Sequence, residues 1–388
     1  MSDDVLWVFW GDDEQPCGLV RRDASGAGVT FRYLEGNTHR ISHSLPVETV
    51  GDVAGVFFEG LLPDGVERER LARRLGVSDA STFALLAAVG GDCAGALSLH
   101  ATEERPKPSG VATRPLDTTL LREVEENGPL PTIVAHGLRL SLAGAQAKLA
   151  VVLHDDGTLG APEGRTPSTH ILKLPNRDYR SVVDNEHFVM TLAKNAGLVV
   201  PRTRLWKLPS GANALLVERF DRRGSQRLHQ EDFCQATGLH PARKYEGDGG
   251  PSLAKIVDVL TAASSEPLDP LRLVAMQAFN IAVANNDGHA KNFALVREPS
   301  VSLAPSSISF ARGRGPTSTR TSPSRSAASA TPATSGRGRG QRSLRRHDSE
   351  PRRSFAPRRT SPSGRRARST PPAMKCSNTG PTSGQSTT

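Results

Sequence analysis

Apolar and polar positions alternate in short runs at the start of the chain. The stretches "VLWVFW" (residues 5–10), "CGLVRRD" (17–23) and "GVTFRYLE" (28–35) are rich in β-branched and aromatic residues and are broken by Gly and Asp clusters. This pattern predicts a small antiparallel sheet. From "ETVGDVAGVFFEGLLPDGVERERLARRLGV" (48–77) onward the hydrophobic period lengthens to that of helices. "SDASTFALLAAVGG" (78–91) adds a helix with Ser78 or Asp79 as N-cap and Gly90-Gly91 as its stop. With "AGALSLH" (94–100) these segments make a small N-terminal α/β domain. The polar, Pro-rich stretch "ATEERPKPSGVATRPLDTT" (101–119) reads as a linker.

Two strand-like runs follow in "GLRLSLAGAQAKLAVVLHDDGTLG" (137–160), joined by the small-residue turn "SLAGAQAK" (141–148). "STHILKLP" (168–175) is a strand closed by Pro175, and "NEHFVMTLAKNAGLVVP" (185–201) is a helix with Glu186 in its first turn, ended by Gly197 and Pro201. "ALLVERFDRR" (214–223) is a strand running into a charged turn. Two helices then flank a Gly-rich polar loop, the second capped by Ser252. A third has Asp269 as N-cap and Pro270 at its first position, and "LRLVAMQAFNIAVA" (271–284) is apolar nearly all round, as a buried helix should be. From Ser306 the chain turns to Ser, Arg, Pro, Thr, Gly and Ala, a composition that cannot bury a core and predicts disorder.

The length of 388 residues suits two or more domains. The formal net charge of +9 is unevenly spread: residues 297–388 carry 18 Lys+Arg against 3 Asp+Glu, and the remainder is mildly acidic. Neither an N-terminal apolar leader nor a run of about 18 apolar residues occurs, which argues against export and membrane insertion. Cys17, Cys93, Cys234 and Cys376 lie far apart without CxxC spacing. That fits a reducing cytoplasm, with neither a zinc site nor a disulfide framework.

Three segments carry candidate chemistry. The turn "SLAGAQAK" lacks bulky side chains, so its backbone N–H groups can approach an anion, although small-residue hairpin turns are common. Lys173 stands inside an apolar strand. It is either an edge lysine reaching for water or the strand lysine that kinases pair with a helix glutamate, for which Glu186 is the candidate. Glu186 could equally complement the helix dipole. "NNDGHAKN" (285–292) reads as a capping turn or as a catalytic loop: Asp287 and Asn292 have the spacing of kinase H-R-D-x-x-x-x-N, where Asp takes the hydroxyl proton and Asn holds a metal. A metal site on His289 lacks a second His or Cys at ligand spacing.

The motifs "LLPDGVERERLARRLGV", "GGDCAGALSL", "SLAGAQAK", "STHILKLP", "DNEHF", "VERFDRR", "KYEGDGG" and "DGHAKN" together resemble HipA-type toxin kinases, serine/threonine protein kinases of bacterial type II toxin–antitoxin pairs. The resemblance spans residues 1 to about 305. It implies an α+β chain: a HipA-like N-terminal subdomain (1–102), a linker and connecting helix (103–130), a two-lobed kinase-like domain with an incomplete C-terminal lobe (131–305), and a disordered basic tail (306–388). It also implies ATP and Mg2+ as cofactors. Ala143, Gly144, Ala145, Gln146, Ala147, Lys148 and Lys173 would bind nucleotide, joined by the hinge Glu218, Arg219 and Phe220 and by His289, Ala290 and Lys291. Asp287 would be the base with Lys173 beside it, Asn292 a metal ligand, and Ser141 an autophosphorylation position that switches the kinase off. The implied partners are a helix-turn-helix antitoxin of HipB type, operator DNA reached through it, and an aminoacyl-tRNA synthetase as cytoplasmic substrate.

The chain departs from the family pattern after the catalytic loop. The family places a second metal-binding aspartate there, yet no aspartate occurs between Asp287 and Asp348, and "SSISFARGRG" follows "VSLAP" (301–305). A composition switch inside a family motif reads as a change of reading frame. The alternative function is therefore a catalytically inactive remnant or binding protein, with a small-molecule phosphotransferase as a third class. The arginine-rich tail, with only Phe310 and Phe355 as aromatics, lacks the stacking residues of an RNA-binding segment.

Overall fold

Strand β1 (Val5–Trp10) pairs on one side with β2 (Pro16–Arg22) and on the other with β5 (Leu97–His100), while β3 (Val29–Tyr33) and β4 (Val53–Ala54) extend the sheet in the antiparallel order β4-β3-β2-β1-β5. The computed structural model describes residues 4–107, 112–129, 132, 143–144, 146–176, 181–297, 299–306 and 308. A register shift between Val8 and Phe9 turns both of these neighbours inward, so the run "VLWVFW" buries more apolar surface than strict alternation allows. Helices α1 (Val56–Glu59), α2 (Gly65–Leu75) and α3 (Thr82–Val89) cover the sheet, with Phe57, Phe58, Leu71, Phe83 and Leu86 packed against Leu6, Val8, Val20 and Phe31. The N-cap of α3 is Ser81, not Ser78 or Asp79. Residues 78–81 instead close a turn in which the Ser81 N–H donates to the Ser78 carbonyl, and the helix starts only beyond it.

The second sheet runs β10-β11-β9-β7-β8-β6, again with antiparallel neighbours. Its strands are β6 (Thr113–Pro115), β7 (Lys148–Leu153), β8 (Leu159–Pro162), β9 (His170–Lys173), β10 (Thr203–Lys207) and β11 (Asn213–Glu218). The stretch read as a linker thus supplies strand β6 and leads into α4 (Thr118–Asn127), whose N-cap Asp117 accepts the Leu120 N–H at 2.8 Å. Prolines marked the segment as irregular, but pairing with β8 holds it in the sheet. Leu121, Val124, Leu149, Val151, Leu172 and Leu216 join the same apolar cluster as the N-terminal sheet, so the two sheets share one core. Strand β9 is interior, which removes the reading of Lys173 as an edge residue. Helix α5 (Val182–Asn195) packs on β10 and β11 and begins before "NEHF", so Glu186 falls in its second turn and Asp184 in its first.

A second core joins Val189 and Met190 of α5 to Phe233 of α6 (Phe233–Ala236), Ile256 and Leu260 of α7 (Leu253–Ala263), Leu273 and Met276 of α8 (Asp269–Ala282), and Phe293 and Leu295. The sheet beside it has the order β14 (His229–Asp232), β15 (Ala294–Arg297), β16 (Val301–Leu303), and a short hairpin, β12 (Arg222–Arg223) and β13 (Gln226–Arg227), precedes it. Ser252 caps α7 by accepting the Lys255 N–H at 3.1 Å. Asp269 does not cap α8. It is the first helical residue, Pro270 the second, and its fully buried carboxylate accepts the Leu303 N–H at 2.6 Å and the Ser264 hydroxyl at 2.6 Å. A tertiary partner on β16 wins over the local cap. Helix α8 is not buried all round either: Leu271, Val274 and Ile281 are 66%, 44% and 74% exposed. Among the described residues no helix is long and apolar enough to cross a membrane. At the start of the expected disordered tail (306–388), Ser306 and Ile308 are instead buried, Ile308 within the second core and the Ser306 N–H donating to the Val199 carbonyl; residues 307 and 309–388 lie outside the described residues.

Candidate functional site

Of the small-residue turn, Ala143, Gly144, Gln146, Ala147 and Lys148 are described, whereas Ser141 and Ala145 lie outside the described residues. Gly144 has φ +106°, a conformation that L side chains rarely adopt, and its carbonyl accepts the Asp64 N–H at 3.2 Å. Lys148 folds back so that its ammonium donates to the Ala143 carbonyl. The Gln146 amide nitrogen is buried without a hydrogen-bond partner. Such an unsatisfied donor in a turn with open backbone is what an incoming anion would satisfy.

Lys148 on β7 stands directly opposite Lys173 on β9, so both ammonium groups leave the same face of the sheet. Lys173 is buried and paired with the carboxylate of Glu186 on α5, itself 1% exposed, and the second carboxylate oxygen of Glu186 is buried without a partner. Burial, reinforced by the neighbouring Lys173 charge, pushes Lys148 down to about 7, against the opposing pull of Asp64 and Glu186. Two lysines are thus held side by side, Lys173 bound to the carboxylate of Glu186 and Lys148 to the Ala143 carbonyl.

The segment expected to act as a hinge continues β11. The Glu218 N–H donates to the Arg202 carbonyl at 2.9 Å and the Arg219 N–H to the Thr169 carbonyl at 3.0 Å, so these main-chain donors are already engaged. Glu218 is exposed, Phe220 is half-buried, and the Arg219 side chain is buried, bonded to Asp221 at 2.6 Å and to the Ser168 hydroxyl at 2.8 Å. Around it Asp92 of the N-terminal domain meets Arg219, Arg222 and Arg227, and Gly95 donates its N–H to Asp221 at 2.7 Å. This buried ionic cluster, whose residues, Arg227 apart, sit in the motifs "GGDCAGALSL" and "VERFDRR" without a role that spacing could assign, fastens the segment after β11 to the N-terminal domain.

The loop after α8 begins with strain. Ala284 has φ 53°, a left-handed conformation that costs a non-glycine residue about 1 kcal/mol. Asn285 then accepts the Asp287 N–H at 3.1 Å, and the Asn292 side-chain amide donates to the Asp287 carbonyl. Asp287 Oδ1 accepts the phenol of Tyr245 at 2.6 Å and lies 3.5 Å from His289 Nε2. His289 is buried with its Nδ1 unpartnered; burial holds it below its ordinary range, against the opposing charge of Asp287. Ala290 donates its N–H to the Lys244 carbonyl at 3.1 Å. Lys291 points away from Asp287, bonding Asp232 at 2.9 Å and the Gly60 carbonyl at 3.3 Å; burial depresses it, but Asp232 and Asp64 outweigh burial and hold it above its ordinary value.

Sequence reasoning named "KYEGDGG" and "LLPDG" without giving their residues a role. The structure brings Tyr245 and Lys244 of the first, and Asp64 of the second, against the loop and the turn. Gly250 makes the "KYEGDGG" turn possible, since a Cβ there would lie 2.2 Å from the Arg243 carbonyl oxygen, and the Tyr245 carbonyl accepts the N–H groups of Asp248 and Gly250. The site therefore has two halves, the lysine pair with its turn and the Asp287–Asn292 loop, bridged by residues 60–64.

Comparison with known proteins matches two family domains to this chain, and both halves of the site fall in the second. Residues 7–100 match the HipA N-terminal domain and residues 140–306 the HipA-like C-terminal domain. The Sinorhizobium fredii protein Y4mE is 39% identical over 75% of this chain and 73% of its own length. The serine/threonine-protein kinase toxin HipA of Shewanella oneidensis is 32% identical over 67% of this chain, which spans 64% of that toxin. The solved complex of Shewanella oneidensis HipA, HipB and operator DNA contains a chain matching 79% of this one and 76% of its own, at 27% identity with a TM-score of 0.65. With both domain models matched in order and the same architecture in a solved relative, the chain belongs to the HipA family of toxin kinases.

Proposed function

We propose that this chain is built to bind ATP and transfer its terminal phosphoryl group to a protein serine or threonine, as the toxin of a type II toxin–antitoxin module. The observation that carries this reading is the buried Lys173–Glu186 pair with Lys148 directly opposite Lys173. In protein kinases a strand lysine held by a helix glutamate fixes the α- and β-phosphates, and here the unsatisfied Gln146 donor and the backbone of Gly144 lead into the neighbouring strand β7, whose first residue Lys148 pairs with Lys173. Asp287 is the general base: its carboxylate is oriented through Oδ1 by Tyr245, and the acceptor hydroxyl gives up its proton to the remaining oxygen. Ser141 in the turn is the regulatory phosphosite, whose added charge would compete with the nucleotide's phosphates. The main-chain edge at Glu218–Phe220 borders the adenine.

The residues present do not fit a complete Mg2+ site. Asn292 offers one neutral oxygen, its amide nitrogen being engaged with the Asp287 carbonyl, and among the described residues no three His, Cys, Asp or Glu side chains gather to hold a metal. No aspartate occurs in the sequence between Asp287 and Asp348. Magnesium prefers hard, charged oxygen ligands, so phosphoryl transfer by this chain is strongly impaired, by about 10²–10³ if one electrostatic element is lost. The binding functions are retained: a HipB-type antitoxin in the cytoplasm, operator DNA through that antitoxin, and an aminoacyl-tRNA synthetase as the protein substrate. The likeness to the Shewanella oneidensis complex of HipA, HipB and operator DNA supports the first two, and the synthetase and the cytoplasmic setting rest on the resemblance of the motifs alone.

The test is calorimetric titration with ATP followed by transfer of radiolabelled phosphate, run beside Shewanella oneidensis HipA. Binding by this chain that Lys173→Ala abolishes, with transfer far below the relative, is the expected result. Comparable turnover would assign the metal to another carboxylate such as Glu298. Absence of binding would end the nucleotide reading.

A further inference from the structure

The N-terminal domain reaches into the site through one short segment. Gly60 takes the Lys291 ammonium on its carbonyl at 3.3 Å, Pro63 bridges to Gly144, and Asp64 gives its N–H to the Gly144 carbonyl at 3.2 Å. Residues 60–64 therefore touch the phosphate-binding turn and the Asp287 loop at once. The close approach needs a glycine at position 60, where a Cβ would stand 2.9 Å from the Gln235 side chain.

Asp64 breaks a local rule in this segment. It is the N-cap of the eleven-residue helix α2, with extended backbone suited to the task, yet its side chain makes no capping hydrogen bond. A capping aspartate stabilises a helix by about 1 kcal/mol, and Asp64 forgoes that contribution. Its Oδ2 is instead buried without a hydrogen bond, and Lys244 Nζ lies 3.6 Å from it. Its charge also acts on Lys148, opposing the effect of burial there. Lys244 thus stands beside this carboxylate, and Lys148 folds onto the same turn whose Gly144 carbonyl takes the Asp64 N–H, whereas Lys291 has its own partner in Asp232 at 2.9 Å. A buried oxygen left in that condition is costly unless the surrounding cations offset it, and cations so offset are the ones an incoming polyphosphate must recruit.

We propose that Asp64 is an internal counter-anion supplied by the N-terminal domain, offsetting Lys244 and Lys148 when no nucleotide is bound and competing with the phosphates of the nucleotide for them. The inference rests on the assignment of the nucleotide site to the Lys148–Lys173 face and gives the N-terminal domain a direct part in setting nucleotide affinity. Because the carboxylate acts on the phosphates alone, it discriminates between phosphorylated and unphosphorylated ligands.

Titration of the full 388-residue protein with ATP, inorganic tripolyphosphate and adenosine, at low and at high salt, tests this. Asp64→Asn is expected to bind ATP and tripolyphosphate on the order of tenfold more tightly at low salt, with the gain shrinking as salt screens the charges, and adenosine unchanged. Asp64→Ser, which can cap α2, is expected to do the same and stands in should Asp64→Asn melt early. Unchanged or weaker tripolyphosphate binding in a variant with wild-type melting temperature would overturn the proposal, as would an equal gain for adenosine. Lys173→Ala in parallel separates the two readings. If Lys173→Ala leaves ATP binding intact while Asp64→Asn still tightens tripolyphosphate, the counter-anion stands and the assignment of Lys173 falls; if Lys173→Ala weakens ATP and Asp64→Asn changes nothing, only the counter-anion falls.

Discussion

The phenol of Tyr245 donates a 2.6 Å hydrogen bond to Oδ1 of Asp287, joining the "KYEGDGG" turn to the loop after α8. The ring also meets His289 edge-on, with centroids 4.9 Å apart. A hydrogen bond to a charged group contributes about 1.5–3 kcal/mol. Tyr245→Phe should therefore lower unfolding stability in urea by about 1–2 kcal/mol. A double-mutant cycle with Asp287→Asn should show coupling of at least about 0.5 kcal/mol. Additive losses would mean that the phenol does not hold the carboxylate.

Lys173 and Glu186 are both buried, so removing either partner leaves an uncompensated charge. Glu186→Gln should cost about 3–5 kcal/mol, whereas replacing both by Met and Gln should cost less than the sum of the single changes. ATP binding, by contrast, should be lost in both the Lys173 single variant and the double variant. Chemical denaturation and calorimetry separate the two effects, and a stable Glu186→Gln protein would show that the pair is solvated in solution.

Nucleotide binding should depend on pH through Lys148, held at about 7 by burial and by Lys173. Phosphates favour the charged ammonium, so below that value the lysine is already protonated, and above it binding must take up a proton. Affinity for ATP should fall as pH rises from about 6 to about 8.5, by no more than about tenfold per unit. In Lys148→Arg the guanidinium stays charged, and comparison of the two titration series cancels the nucleotide's own ionisation. Parallel slopes would remove Lys148 from the phosphate contacts.

Asp92 and Asp221 are buried, which opposes their ionisation, but the surrounding guanidinium groups of Arg219 and Arg222, joined at Asp92 by Arg227, outweigh burial and hold both carboxyls well below the usual range. Carboxyls depressed in the folded state contribute stability that is present above the unfolded value of about 3.9 and is lost only as pH falls through the folded value. Circular dichroism should therefore show the protein folded down to about pH 4, where carboxyls of ordinary value begin to protonate. Asp92→Asn should raise the acid midpoint and weaken the fold at neutral pH by about 3–5 kcal/mol, since three arginines lose a shared partner. An unchanged acid midpoint would reduce the cluster to a bystander.

Local pattern determined much of this protein. Alternation fixed the first three strands, helical period placed α2, α3 and α7, Ser252 announced its own cap, and the order of turn, strand lysine, helix glutamate and "DGHAKN" pointed to the family, because each of these signals is carried by residues close in sequence. Contacts across the chain decided the rest. Strand β6 exists because β8 pairs with it, Asp269 abandons its cap for the N–H of Leu303, and Asp64 abandons its own to stand near Lys244. Whether Lys173 reached for water or for Glu186 was open until β9 took an interior place in its sheet. A polar group takes the partner that lets it be buried satisfied or offset: for β6, Asp269 and Asp64 that partner lies tens or hundreds of residues away and no local period or spacing names it, and for Lys173 the pattern named Glu186 but only the sheet topology chose it over water.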